Sequence, residues 1–287
     1  MNAYPNRRSP NTSYRKWSLP FTCLVATFIL TVATLTLFPT RGAGASDAPN
    51  RATILVNDHS IQVPPLHAGM AALRVVSAGH QPHHLMFLHL NQGVSYARLN
   101  RALNGPGNSM PATAVGGNGP ILPGMHVDIF LMLEAGRYLI VDIGHGNITS
   151  EQRATVTAGT SSASLPVGRG TIVIPSGRNR YLLPSGFGAP GVYRFANRDN
   201  ELHEAAIVRL MPGKHVADLI AWAKAGTHGR PPMAAPMGGF GAIGGNQVGA
   251  FVLPRLAPGS YAVVCFVPGS DGMPHLAMGM AAEFDIR

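Results

Sequence analysis

The feature that most constrains the fold is an internal repeat, because the chain presents one arrangement of segments twice, about 120 residues apart. HQPHHLMFLHL at 80–90 aligns with NELHEAAIVRL at 200–210, and this alignment pairs His83 with His203. The Gly-x-Tyr of 136–138 aligns in the same way with that of 259–261. A repeat of this length is too long for a solenoid unit, so it indicates two tandem copies of one domain.

Each copy has the pattern of an all-β domain. Short runs rich in Val, Ile and Leu alternate with Gly/Pro turns, which is typical of a sandwich or barrel. One short helical stretch follows the first aligned strand of each copy, SYARLNRAL at 95–103 and KHVADLIAWAKAG at 214–226. Gly226 suits the C-terminal cap of the second helix. The sequence therefore predicts two β-sandwiches, each with a short helical insertion.

Residues 1–45 have the three parts of an export signal: a basic leader, an apolar run at about 21–38, and Ala43-Gly44-Ala45 before Ser46. We expect cleavage near Ser46. The alternative is an uncleaved membrane anchor, because the apolar run approaches the ~18 residues of a spanning candidate. On either reading the rest of the chain is predicted to be extracytoplasmic: periplasmic, at the cell surface or secreted.

Composition then sets the domain boundaries and excludes one class of partner. We assign 46–160 to the first domain, 161–169 to a linker within a Ser/Thr/Gly-rich stretch, and 170–287 to the second domain. Five of the 22 Lys and Arg residues lie in 1–45, which has no Asp or Glu, so the remainder carries 17 basic against 13 acidic residues. That modest excess does not predict nucleic-acid binding.

Cys265 is the cysteine that would remain after export, since Cys23 lies in the leader. A single cysteine in an oxidising compartment pairs between chains, stays a free thiol or binds metal. In the second copy it is followed by His275, Met278 and Met280, whereas the first copy has Asp142 at the position of Cys265. A thiolate and two imidazoles with a weak thioether form the donor set of a blue-copper site.

The order His203, Cys265, His275, Met280, or H…C-x9-H-x4-M, resembles the cupredoxins, the blue-copper protein family. The resemblance covers about 170–287 with the ligands and 51–158 without them. It implies tandem Greek-key sandwiches, one type 1 copper ion in the second domain, and one-electron transfer with a redox partner protein. The H-x4-M spacing favours Met280 over Met278 as the axial residue.

The chain departs from this family at one position and lacks the motifs of related enzymes. Cupredoxins often have Asn directly after the first His, where it ties the ligand loops together; this chain has Glu204. Multicopper oxidases have His-x-His motifs and His on both sides of the Cys, but Cys265 lies between Val264 and Phe266. We therefore predict no enzymatic activity.

Two alternatives stay open from the sequence. The chain could be a copper-handling or metal-free cupredoxin-like binding module rather than an electron carrier. The imidazoles of His80, His83 and His84 could also hold a second metal ion, or they could line the polar entrance of a strand.

Overall fold

The computed structural model describes residues 50–104, 110–144, 147–159, 161–269 and 272–287. The predicted export signal or anchor at 1–45 lies outside these residues. The strands are β1 Asn50–Asn57, β2 Ser60–Gln62, β3 Leu66–His67, β4 Gly69–Ser77, β5 Leu85–Leu90, β6 Ala112–Gly117, β7 His126–Leu133, β8 Gly136–Gly144, β9 Asn147–Thr157, β10 Thr171–Ile174, β11 Gly191–Asn197, β12 His203–Leu210, β13 Met233–Ile243, β14 Val248–Leu253, β15 Gly259–Val264 and β16 Ala281–Ile286.

Both predicted helical segments form. Helix α1 spans Tyr96–Asn104 and α2 spans Val216–Lys224, and a 3₁₀ turn follows at His275–Met278. Helix α2 ends as its sequence predicts, because Gly226 adopts φ 78° just beyond the C-cap residue Ala225. Glycine enters this left-handed region without the steric cost that a Cβ imposes. No helix in the described ranges has the length and apolar character needed to cross a membrane.

The strands form two sheets that share one core. One sheet has the order β10-β11-β14-β7-β4-β1-β2 and the other β16-β15-β12-β13-β6-β5-β8-β9-β3. Each sheet is nearly symmetric about an antiparallel central pair, β14·β7 in the first sheet and β13·β6 in the second. On either side of each pair lie strands that the repeat aligns with one another, such as β11 with β4 and β12 with β5. The repeat is thus visible as an approximate two-fold arrangement, and both sheets run continuously from one copy into the other.

Strands β5 and β12 are buried on both faces because each has a sheet on one side and a helix on the other. Phe87 of β5 and Ile207 of β12 point into the core shared by the two sheets. The opposite face of β5 packs on Leu99 of α1, and that of β12 packs on Leu219 of α2. Double burial explains why these two segments read as nearly continuous apolar runs rather than alternating ones.

Candidate metal centre

The four predicted ligands lie on three adjacent segments at one end of the nine-stranded sheet. His203 begins β12, Cys265 directly follows β15, and His275 begins the 3₁₀ turn. The Cys265 carbonyl accepts the Leu276 N–H at 2.8 Å, so the returning loop is fastened to the end of β15. Within this loop the Gly269 carbonyl accepts the Gly272 N–H at 3.0 Å, and Gly272 adopts φ 78°, which glycine enters without the cost of a Cβ.

The structure brings His203, Cys265 and His275 together in the buried interior. The Cys265 Sγ lies 4.0 Å from His203 Nδ1 and 3.5 Å from His275 Nδ1, and one donor atom from each residue lies within 4.8 Å of the others. Metal–ligand bonds of roughly 2.0–2.3 Å put neighbouring donors on the order of 3.5–4 Å apart. The spacing and the donor types therefore fit one copper ion.

Each imidazole presents Nδ1 to the thiol and Nε2 to a carboxylate. His203 Nε2 lies 3.3 Å from Asp199 Oδ2, and His275 Nε2 lies 3.0 Å from Glu201 Oε2. A carboxylate behind a histidine fixes the ring orientation and raises its basicity as a ligand. Burial lowers the pKa of His203, reinforced by the neighbouring His275, which favours the neutral imidazole that a metal needs.

Asp199 is itself held in place. Its Oδ1 accepts the backbone N–H groups of Asn200 at 2.8 Å and Gly177 at 3.2 Å. Burial acts to raise the pKa of Asp199, but these hydrogen bonds and His203 outweigh burial and leave the pKa below its ordinary value. Asp199 is thus a fixed anion behind the first histidine.

The thiol of Cys265 is completely buried and has no disulfide. Burial raises the pKa of Cys265 far above its ordinary value, and the nearby carboxylate of Glu204 raises it further. The protein alone therefore stabilises the neutral thiol, whereas a coordinated cation deprotonates a thiol outright. Metal binding at this position would release a proton.

The two candidate axial methionines differ in their environments. Met280 is fully buried in the same core as Cys265, and its carbonyl accepts the Cys265 N–H at 3.3 Å. Met278 is 43% exposed, and its sulfur accepts a hydrogen bond from Asn179 at 3.3 Å. Burial beside the cysteine favours Met280, the residue that the spacing selects.

Glu204 links the two ligand segments at the position where the family resemblance implies an Asn. Its Oε1 accepts the backbone N–H of Phe266, the residue after Cys265, at 2.7 Å. The Glu204 carbonyl in turn accepts the hydroxyl of the buried Tyr181. From the sequence, Glu204 is only a departure from the family pattern, and neither Asp199 nor Glu201 is predicted to face a ligand. The cluster of acidic residues around His203 in RDNELHE was the available signal.

The first repeat copy has a different arrangement at the equivalent place. Met86 pairs with Val141 as Ala206 pairs with Val264, so Asp142 occupies the position of Cys265. His83 Nδ1 lies 2.7 Å from Asp142 Oδ2. A buried His–Asp hydrogen bond thus stands where the second copy has its His–Cys contact.

Of the two alternatives for His80, His83 and His84, the described residues do not support a shared metal site. His80 faces Asp58, His83 lies between Asp58 and Asp142, and His84 faces Glu204. Within the described ranges, His203, Cys265 and His275 are the group of three or more such side chains whose donor atoms come close enough to share an ion.

Comparison with known proteins gives structural matches but no sequence match. No family model matches the chain, and no curated protein matches it. Among solved structures, auracyanin A, a blue copper protein of Chloroflexus aurantiacus, is 15% identical with a TM-score of 0.28 and is covered over 100% of its length by 38% of this chain.

Two larger proteins are similar over more of the chain. The McoA multicopper oxidase of Aquifex aeolicus is 12% identical with a TM-score of 0.28, covering 84% of this chain and 67% of its own. The copper nitrite reductase of Nitrosomonas europaea is 10% identical with a TM-score of 0.23, covering 84% and 94% respectively. Similarity of this strength assigns neither a family nor a function.

Proposed function

We propose that the protein is an exported type 1 copper protein that transfers single electrons between partner proteins. The observation that carries the proposal is the buried His203–Cys265–His275 cluster, whose donor spacing fits one ion. In this proposal Cys265 supplies the thiolate, the two histidines supply neutral imidazoles, and Met280 supplies the weak axial contact.

When bound, copper would supply a one-electron couple between Cu(II) and Cu(I), so that a donor loses one electron and an acceptor gains one. The chain's own part is to keep the ligands in place. Asp199 orients the His203 imidazole by a hydrogen bond, Glu201 lies beside His275 at ion-pair distance, and Glu204 fixes the backbone beside Cys265. Ligands that are already positioned need little rearrangement when the charge changes, and this favours electron transfer.

The finer architecture and location belong to the same proposal. We interpret the two halves as tandem Greek-key cupredoxin-like domains, 46–160 and 170–287, with copper in the second and a degenerate first copy. The near-symmetric strand orders support this interpretation, as does the position of Asp142 opposite Leu85. Export remains a proposal that rests on the leader sequence at 1–45.

We propose electron transfer rather than catalysis because the sequence lacks the histidine motifs that a second or trinuclear copper centre needs. It contains no His-x-His, and Val264 and Phe266 flank Cys265 where multicopper oxidases have histidines. The similarity to oxidases and to a nitrite reductase therefore supports the scaffold and not their reactions.

The test is an absorption spectrum of the copper-free protein as one equivalent of Cu(II) is added. We expect an intense visible band from thiolate-to-copper charge transfer, and we expect Cys265→Ser to abolish it because a hydroxyl is a hard, poorly ionised replacement. Met278→Leu is the matched control and should keep the band. A wild-type protein with no band, or a Cys265→Ser variant that retains it, would contradict the proposal and favour the metal-free binding module.

A further inference from the structure

The two repeat copies contact each other through one pair of equivalent residues close to the proposed metal centre. His84 follows His83 in the first copy as Glu204 follows His203 in the second. The approximate two-fold arrangement brings these two positions together, and His84 Nε2 lies 3.1 Å from Glu204 Oε2. The side chains are 11% and 1% exposed, so the contact is almost closed to solvent.

Neither His84 Nε2 nor Glu204 Oε2 makes a hydrogen bond to any of the described residues. The two meet at ion-pair distance rather than in hydrogen-bond alignment. A buried carboxylate oxygen without a partner is costly, and removing one member of a buried pair leaves that cost uncompensated. His84 is therefore the group that offsets the cost of burying Glu204 Oε2.

The other oxygen of the same carboxylate reaches the metal centre. Glu204 Oε1 accepts the Phe266 N–H at 2.7 Å, and Phe266 follows Cys265 directly. A continuous line of contacts runs from His84 through the Glu204 carboxylate to the backbone beside the thiol. Holding one oxygen on the first copy restricts the carboxylate rotation that would release the other from Phe266.

We propose that His84 is a positioning residue for the metal centre of the other repeat copy. It holds Glu204 so that the Phe266 N–H, and with it the Cys265 backbone, keeps its place. This inference rests on the proposed function for its consequence at copper, but its structural step can be measured without metal. It also gives the first copy, whose described residues form no ligand cluster, a part in the site of the second.

The experiment compares His84→Ala, His84→Gln and the control His89→Gln in the otherwise unchanged protein. His89 lies on β5, the strand that begins directly after His84, where it stacks on Tyr138 and faces the exposed Glu134 at 3.7 Å. In the copper-free protein, hydrogen exchange of the Phe266 amide should become on the order of tenfold faster in His84→Ala, because its acceptor loses a buried partner. Gln can donate to Glu204, so His84→Gln should retain part of the protection, and His89→Gln should behave as wild type.

With copper added, His84→Ala should also shift the reduction potential and the position of the thiolate band, and His84→Gln should restore part of each shift. Unchanged Phe266 exchange in His84→Ala would overturn the inference, as would an equal change in His89→Gln. If His84→Ala does not fold, His84→Gln decides: Phe266 exchange between that of the wild type and that of a Glu204→Ala protein supports the inference, and either wild-type exchange or exchange as fast as in Glu204→Ala overturns it. A wild-type protein without a copper band would defeat the proposed function, while the exchange data would still decide the role of His84.

Discussion

At the scale of single residues, the axial position can be tested by the two methionines after His275. Met280 is buried with Cys265, while Met278 is 43% exposed and its sulfur accepts a hydrogen bond from Asn179. Met280→Leu should keep the visible band but raise the reduction potential, because the variant lacks the thioether that helps to stabilise Cu(II) relative to Cu(I). We expect the potential to rise by about 59 mV or more, which corresponds to a tenfold change in the one-electron reduction equilibrium constant.

Voltammetry of both leucine variants beside the wild type measures this shift. Met278→Leu should leave the potential unchanged. The reverse result, a shift in Met278→Leu and none in Met280→Leu, would show that the spacing selected the wrong methionine.

The residues of the site divide into those that sequence order reveals and those that need contacts. His203, Cys265 and His275 stand out because they follow the order of a blue-copper ligand set, while the first copy keeps only the first histidine, as His83. The structure brings these three residues together. Their role as ligands stays a prediction. Asp199, Glu201 and His84 follow no such pattern, because an acidic residue near a histidine in the sequence is common on any protein surface. Only the fold shows which of them face an imidazole or a buried carboxylate.

At the scale of elements, strands and helices follow from apolar pattern and turn residues, whereas their fastening depends on distant side chains. Helix α2 is pinned at its start by Glu283 of β16, whose two oxygens meet the His215 ring at 2.8 Å and the Val216 N–H at 3.0 Å. The hydrogen bond to Glu283 raises the pKa of His215, with the charge of Glu283 adding to it. The sequence of residues 214–226 does not predict that Glu283 is the partner of His215.

Glu283→Gln should lower the free energy of unfolding, because it removes the charge that faces His215 while leaving an acceptor for the Val216 N–H. A raised folded-state pKa means that the His215 pair stabilises fully below the unfolded pKa, and that this stabilisation is lost as pH rises through the folded value. The destabilisation should therefore be larger at pH 5.5 than at pH 8.5.

Chemical denaturation of wild type and variant at the two pH values measures this difference. Glu134→Gln is the matched control, because Glu134 is 84% exposed and its contact with His89 is longer, at 3.7 Å. A loss of stability that is equal at both pH values, or larger at the higher one, would contradict the assigned ion pair.

At the scale of the whole molecule, the repeat predicts two similar halves but not how they join. The sheets run through the junction by β6·β13 and β7·β14 pairing, and the Phe240 ring fills space over two glycines. A Cβ on Gly116 would lie 2.5 Å from Phe240 Cζ, and one on Gly249 would lie 2.1 Å from it. Such pairing depends on complementary edges and shapes that a single sequence does not display.

This junction predicts the behaviour of the second copy alone. A fragment of residues 170–287 would expose β13 and β14 as open edges and uncover Phe240, which is fully buried in the whole chain. Unpaired edges of this kind recruit other strands. Because the junction is close to two-fold, the same edges can pair with those of another copy of the fragment. We therefore expect the fragment to dimerise or aggregate rather than remain a folded monomer.

Size-exclusion chromatography with light scattering, run on the fragment and on residues 46–287 in the same buffer, measures this outcome. Copper addition to both then links assembly to the site, because the fragment also lacks His84 behind Glu204. We expect a weaker or displaced visible band in the fragment at equal concentration. A monomeric fragment whose band and unfolding midpoint match those of residues 46–287 would show that the second half is an independent domain and that the shared sheets contribute little to its stability.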